Sequence, residues 1–200
     1  MYFFFFKRLL DVFVSLVLLV LLSPLLLIVA ILVPLESSGP IFFNQERVGK
    51  NLRPITVFKF RTMTNEPHKV GKKPIIGRET GVTKFGYWLR KFKIDELPQL
   101  LSVLRGDLSL VGPRPSVREQ LNNMTELEKS RYDIRPGLTG LAQVSGNIHL
   151  TWKERYKKDL EYISNISFKN DFKILLRTAL LLVKGEKYFL DKPLKLNNEN

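Results

Sequence analysis

Asp95 and Glu96 are adjacent carboxylates in Lys93-Ile-Asp-Glu-Leu-Pro-Gln-Leu-Leu, where a basic amphipathic segment gives way to an apolar one. Proline is tolerated in the first turn of a helix, so Pro98 puts Asp95 close to the N-cap of a helix through Leu97, Leu100, Leu101 and Leu104. Unpaired N–H groups at such an end keep a carboxylate ionised, as a nucleophile must be, and favour a phosphate brought against it. Asp at an N-cap is also ordinary helix punctuation, and the pair alone leaves that reading open. A second candidate is Arg114, held between Pro113 and Pro115. Two fixed backbone angles pre-organise its guanidinium for bidentate binding of phosphate or carboxylate, unless the turn is only a rigid corner with an exposed Arg.

The elements that must position these groups follow from period and punctuation. Ile41 to Phe43 and Ile55 to Phe60 read as short strands joined by a polar turn, the second delivering Lys59 and Arg61. Thr64 to Gly81 is rich in Gly, Pro and Lys, and is expected as an exposed loop able to act as a lid. Phe85, Trp88, Leu89 and Phe92 recur at helical spacing within Thr83 to Phe92, giving a basic amphipathic helix for the core or for a membrane surface. Arg105 to Pro115 reads as a turn, a short strand and a stiff loop, and Ser116 to Arg131 is then expected as a polar helix. Arg135-Pro-Gly-Leu-Thr-Gly is a turn able to bring backbone amides close to a ligand. Helices over Trp152 to Ser164, with Asp159 and Tyr162 on one side, and Lys169 to Lys184 complete the domain. A polar tail follows.

Composition sets the location. Val12 to Leu35 contains no charged residue, and at about 1.5 Å per residue such a helix is long enough to enter or cross a bilayer. Ser23-Pro24 lies near its middle, where proline removes a backbone hydrogen bond and the serine hydroxyl can compensate the freed carbonyl. Basic residues flank both ends, so a helix that turns back at Ser23-Pro24 and a tilted spanning helix remain alternatives on physical grounds. From Glu36 onward the chain carries 30 Lys and Arg against 18 Asp and Glu. That surplus calls for anionic partners, acidic headgroups or phosphorylated substrates, and no nucleic-acid recognition motif accompanies it. The absence of Cys rules out disulfides and thiolate metal sites, leaving a hard cation on oxygen ligands.

Five motifs occur in order: Lys59-Phe-Arg-Thr-Met, Thr83-Lys-Phe-Gly-Tyr-Trp-Leu-Arg-Lys, Asp95-Glu-Leu-Pro-Gln-Leu, Gly106-Asp-Leu-Ser-Leu-Val-Gly-Pro-Arg-Pro and Arg135-Pro-Gly-Leu-Thr-Gly-Leu-Ala-Gln-Val. From about Lys7 to Lys184 the chain resembles the bacterial sugar transferases known as small monotopic polyprenyl-phosphate phosphoglycosyl transferases. The resemblance implies an α+β chain: a re-entrant membrane helix (1–36) broken at Ser23 and Pro24, one mixed α/β cytoplasmic domain with interfacial amphipathic helices (37–185), and a C-terminal tail (186–200). It implies transfer of a sugar 1-phosphate from a UDP-sugar to undecaprenyl phosphate at the cytoplasmic face of a bacterial inner membrane, with UMP released. Asp95 would be the nucleophile that carries the phosphosugar, Glu96 would assist, and both would hold Mg²⁺. Lys59, Arg90, Arg114, Arg135 and Asp159 are assigned to substrate binding.

Ser145 and Asn147 stand where many relatives carry Asn and Arg, and Ser102 replaces a frequent Asn, which puts local donor contacts in question. Two rival readings are a Mg²⁺-dependent membrane phosphohydrolase using the same pair, and a non-enzymatic membrane adaptor whose basic face, including Lys84 and Lys91, binds acidic lipids or nucleic acid.

Overall fold

A computed structural model of the chain describes residues 5–64, 81–185, 194 and 196. Lys7–Glu36 forms one continuous helix, α1, with Pro24 and Pro34 inside it. The helix runs on through Ser23-Pro24, where the sequence reading places a break. Pro24 has no N–H for the Val20 carbonyl four residues back, and the Ser23 hydroxyl donates to that carbonyl at 2.8 Å instead. Most of α1 is exposed Leu, Val, Ile and Phe, as expected for a helix that meets lipid on most sides.

Both ends of α1 are fastened to the rest of the chain. At the start, Lys7 pairs with Asp171 at 2.6 Å, and Arg8 donates to the Val103 and Leu104 carbonyls. Asp11 accepts from the Ser109 hydroxyl and the Leu110 amide. At the far end, Arg61 donates to the Ser37 and Ser38 carbonyls, where the negative end of the helix dipole favours a cation. Glu36 accepts from the Phe85 amide. Val29 and Val33 pack with Phe60 and Leu89 in a core of their own.

The strands β1 (Phe42–Val48) and β2 (Pro54–Phe60) form an antiparallel hairpin whose register pairs Phe43 with Lys59 and Arg47 with Ile55. The first strand runs further than the expected Ile41 to Phe43. Thr64 donates its amide to Gly81, and the expected loop between them lies outside the described residues. Helix α2 (Lys84–Lys91) is capped by the Thr83 hydroxyl, which accepts from the Gly86 amide at 2.9 Å. A Cβ on Gly86 would come within 2.3 Å of the Thr62 carbonyl oxygen, so glycine lets α2 seat directly on the chain leaving β2.

Beyond a 3₁₀ turn over Ile94–Gln99, α3 (Leu100–Arg105) leads into β3 (Ser109–Val111), which pairs in parallel with β4 (Gly137–Thr139). The connection is not the single polar helix expected for Ser116 to Arg131. It is a 3₁₀ turn at Arg118–Asn123, an extended and buried Met124, a one-turn helix α4 (Glu126–Lys129) and a further turn at Ser130–Tyr132. Thr125 and Glu128 make a reciprocal capping box, which starts a new helix where a continuous one would have to run through.

Helices α5 (Leu141–Val144), α6 (Trp152–Ser164) and α7 (Phe168–Lys184) follow. The main core contains Val57, Leu100, Val103, Leu108, Val111, Leu141, Tyr162 and Ile174, with Val14, Leu18 and Leu19 of α1 packed against it. Leu194 and Leu196, in the segment expected as a polar tail, also lie against this core.

The glycines of the Gly-Pro-Arg-Pro and Arg-Pro-Gly motifs serve backbone packing rather than the ligand approach expected of the second. A Cβ on Gly137 would fall 2.1 Å from the Gly112 nitrogen, and one on Gly140 would fall 2.1 Å from the Gly112 carbonyl oxygen. The two loops are cross-linked by Gly112 N–H to Thr139 and by Gly137 N–H to Pro113, at 2.9 and 2.8 Å. Gly137→Ala is expected to cost roughly 3 kcal/mol or more, because neither backbone can yield without breaking these bonds. Chemical denaturation in detergent checks it, and a cost under about 1 kcal/mol would refute the close approach.

Candidate active site

Lys93 adopts a left-handed backbone (φ 57°, ψ 20°), a conformation that costs a non-glycine residue free energy and persists where the surroundings enforce it. It ends the turn after α2 and reverses the chain, so Asp95 and Glu96 enter the first turn of the 3₁₀ segment. The expected N-cap position is therefore taken by Lys93. The α-helical bonding pattern begins only at Leu100, because Pro98 has no N–H to contribute.

Glu96 is gripped from two sides. Lys59 at the end of β2 reaches its Oε1 at 2.6 Å, and Arg114 reaches Oε1 at 2.7 Å and Oε2 at 3.4 Å. Burial alone would favour the neutral acid, but the adjacent Arg114 and Lys59 outweigh it and hold the carboxyl well below its ordinary range. Glu96 is thus a fixed anion that keeps two cations together beside Asp95.

Asp95 has the opposite surroundings. It is buried, and its Oδ1 has no hydrogen-bond partner. Burial, then the neighbouring Glu96 carboxylate, lifts its pKa to about 6, against the pull of Lys59, Lys93 and Arg90. Arg90, on the last turn of α2, is oriented by a 2.8 Å bond from Nε to the Thr62 hydroxyl. An under-solvated carboxylate with a bare oxygen, near Lys59, Lys93 and Arg90 and beside the Glu96 that Arg114 clamps, can attack an electrophile whose negative charge the cations accept.

The Arg114 loop is supported from behind by Arg131. This buried guanidinium donates to the Arg114 carbonyl at 2.8 Å, the Ser116 hydroxyl at 2.7 Å and Asp159 at 2.5 Å, and lies over the Tyr132 and Tyr156 rings. Asp159, assigned to substrate binding from the sequence, is thereby placed as the buried counter-ion of Arg131. Arg135, assigned likewise, donates to the Gly106 carbonyl at the end of α3 and borders a separate cleft with Lys7, Arg8, Asp11, Lys50 and Ser109. The structure therefore brings Asp95, Glu96, Lys59, Arg90 and Arg114 together and leaves Arg135 and Asp159 outside that group.

Two groups were not anticipated. Arg131 falls in the segment read as a polar helix, and nothing in its spacing marks it as a strut. Arg47 is half-buried, and burial and then the nearby Arg114 pull its pKa down to about 10, with Glu96 opposing. Arg47 shares a hairpin face with Lys59, so the strand alternation combined with the register could have found it.

A divalent cation is a reasonable tenant. Asp95 offers a bare buried oxygen, whereas Glu96 already has both oxygens engaged, so the fit rests on Asp95. Among the described residues there is no cluster of three acidic, His or Cys side chains. An ion here would complete its shell from phosphate oxygens and water, as Mg²⁺ commonly does.

A family profile for bacterial sugar transferases matches residues 2–185, carrying the dyad, both loops and the long apolar helix in one alignment. The chain belongs to the bacterial sugar transferase family. This sugar transferase is 42% identical over 180 residues to a Bacillus subtilis protein named as the uncharacterized sugar transferase EpsL, covering 90% of the present chain and 88% of that relative. It is 42% identical over 192 residues to a Caulobacter vibrioides UDP-glucose:undecaprenyl-phosphate glucose-1-phosphate transferase, covering 92% and 72%. It is 36% identical over 187 residues to an Aeromonas hydrophila UDP-N-acetylgalactosamine-undecaprenyl-phosphate N-acetylgalactosaminephosphotransferase. There it covers 90% of its own length and 44% of the relative, so the sugar transferase spans less than half of some longer members of its family.

Proposed function

We propose that the protein transfers a sugar 1-phosphate from a UDP-sugar to undecaprenyl phosphate through a covalent intermediate on Asp95. The observation that carries this reading is the contrast within the dyad: Asp95 keeps a bare, buried oxygen while Glu96 is locked by Lys59 and Arg114. The names of the Caulobacter and Aeromonas relatives supply the donor and acceptor classes.

In the first displacement an Asp95 oxygen bonds to the sugar-bearing phosphorus of the donor. The bond from that phosphorus to the bridging oxygen breaks, and UMP leaves with the electron pair. In the second, an oxygen of the acceptor phosphate attacks the same phosphorus, the Asp95 carboxylate is released, and a lipid diphosphate sugar forms. Lys59, Arg90 and Arg114 take up the charge on the phosphate oxygens. Mg²⁺, held by Asp95 with Glu96 beside it, would add further charge neutralisation on the diphosphate when bound.

On this reading α1 bends at Pro24 without losing its helical run, so it enters a bacterial inner membrane and returns to its cytoplasmic face, with the dyad at headgroup depth. The attachment of both ends of α1 to one domain supports the return, since a spanning helix would separate them by the full bilayer thickness. The exposed stripe Phe168, Phe172, Leu176, Leu180 and Val183 on α7 supports interfacial contact, as do Trp88 and Phe92 on α2 with Lys91 over the Trp88 ring. Anionic lipids would meet the basic residues around these faces.

The test is UMP release and lipid diphosphate sugar formation with Mg²⁺, undecaprenyl phosphate and a panel of UDP-sugars, comparing wild type with Asp95→Asn. Transfer that requires Asp95 supports the reading. Acceptor-independent turnover to free sugar phosphate would favour a hydrolase, and no turnover with any sugar by folded protein would leave the adaptor. The single-turnover labelling rate is expected to rise with pH to a plateau as Asp95 ionises, with a midpoint below the metal-free value of about 6 because bound Mg²⁺ also favours the carboxylate. Arg90→Gln is expected to move that midpoint upward, because Arg90 favours the ionised form. A profile flat from pH 5 to 8 would show that Asp95 ionisation does not limit attack.

A further inference from the structure

Arg90 and the end of α1 are held by neighbouring residues of one short segment. Arg61 donates from its side chain to the Ser37 and Ser38 carbonyls just beyond α1, and its own amide donates to the Ile41 carbonyl at 2.9 Å. Thr62, the next residue, is buried, and its two oxygens meet α2 at different points. Its carbonyl accepts the Thr83 amide at 3.1 Å at the start of that helix, and its hydroxyl accepts from Arg90 Nε at 2.8 Å on the last turn. The chain leaving β2 therefore touches α2 at both ends.

The hydroxyl bond is not needed to seat α2. Leu89 is buried with Phe60, Val29 and Val33, Gly86 lies directly against the Thr62 carbonyl, and the Phe85 amide donates to Glu36 at 2.9 Å. What the hydroxyl does fix is the plane of one guanidinium. An arginine side chain gives up about 2 kcal/mol of rotamer freedom when it is held in a single geometry. The Nε bond removes much of that freedom in advance. It leaves the two terminal nitrogens, which make no hydrogen bond among the described residues, for a ligand.

We infer that Thr62 is a positioning residue for the transfer reaction, its hydroxyl holding the Arg90 guanidinium so that the terminal nitrogens meet the phosphate oxygens of the reacting diphosphate. The inference rests on the proposed function and deepens it. The hydroxyl takes no part in making or breaking bonds, because it touches Arg90 and not the substrate. Its contribution grows as charge collects on the phosphate oxygens, so its removal slows turnover more than it weakens donor binding. Because Arg61 ties the same segment to the exit of α1, Arg90 is fixed relative to the apolar helix as well as to the hairpin.

The experiment measures kcat and KM, with the UDP-sugar that supports transfer, for wild type, Thr62→Val, Thr62→Ser, Arg90→Gln and the double variant Thr62→Val, Arg90→Gln. Thr62→Ala repeats the removal of the hydroxyl without an added methyl, in case valine disturbs the packing. Thr62→Val is expected to lower kcat about tenfold while KM changes by less than about twofold, the pattern of a displaced charge-stabilising group. Thr62→Ser, which keeps the hydroxyl, is expected to restore kcat. In the Arg90→Gln background Thr62→Val is expected to cost less than about a further twofold, because its effect runs through a guanidinium already removed. Wild-type kcat in Thr62→Val or Thr62→Ala overturns the inference, and so does a Thr62→Ser enzyme as slow as Thr62→Val. Equal losses from Thr62→Val with and without Arg90 would also overturn it, showing that the residue acts on the fold at large. Failure of wild type to transfer from any UDP-sugar would instead refute the function on which the inference rests.

Discussion

At pH 7.5, Asp95→Asn is expected to melt several degrees above wild type while losing all transfer. The folded protein holds the Asp95 carboxyl at about 6 against an ordinary 3.8, chiefly through burial and then through Glu96. The folded state therefore binds the proton more tightly than the unfolded chain. Stability linked to this group is greatest at low pH and is lost as pH rises from about 4 to about 6, leaving a penalty of about 3 kcal/mol at most above that window. Asn carries no charge to desolvate, so it removes most of the penalty, and about 1–3 kcal/mol corresponds to about 3–9 °C in a chain of this size. The gain should shrink at pH 5 and vanish near pH 4. Thermal melts of both proteins across that range check it. A variant no more stable than wild type at pH 7.5 would mean that Asp95 is fully satisfied by its neighbours, which would remove the physical basis for its reactivity.

The second large effect belongs to a pair remote from the chemistry. Asp159→Asn is expected to cost about 3–5 kcal/mol, because it leaves the Arg131 guanidinium buried without its counter-charge. The double variant Arg131→Met, Asp159→Leu removes both charges and is expected to recover much of that loss, since a packed apolar pair avoids desolvation. Transfer should not recover with it. The Arg114 carbonyl loses its anchor in the double variant, and the guanidinium that clamps Glu96 loses its fixed origin. Stability by denaturation and kcat/KM measured side by side separate the two effects. Full activity in a stable double variant would show that Pro113 and Pro115 alone hold Arg114 in place.

These two predictions also mark where the sequence was and was not readable. Asp95, Glu96 and Arg114 were singled out by an element boundary and a stiff turn, Lys59 and Arg90 only through the family resemblance, and the structure gathers them in one place. The hairpin and helices α2, α6 and α7 were identifiable from residue pattern and turn residues, and the structure adds that the Thr83, Thr151 and Ser167 hydroxyls cap those helices. The Arg131–Asp159 pair was not, because two charged residues 28 positions apart leave no periodic trace, and charge is usually a sign of exposure. The approach of Gly112 to Gly137 was hidden for a related reason. A glycine in a turn looks the same whether it admits a ligand or another backbone. Arg135 has the chemistry of a phosphate binder but donates to the Gly106 carbonyl just after α3.

The fastening of both ends of α1 bears on how the chain reaches its membrane. Lys7, Arg8 and Asp11 are bound to α3, α7 and β3, while Glu36, Ser37 and Ser38 are bound to Arg61 and Phe85. A segment closed at both ends on one folded body need not drag any ionised group through hydrocarbon in order to insert. On the proposed topology, in which α1 returns to the face it enters, its biogenesis would be a partitioning step, with the finished domain presenting a closed apolar segment to the bilayer, rather than a threading step that needs a translocation pore. On that topology, charges added near either end would loosen the fastening while leaving the two ends on the same side.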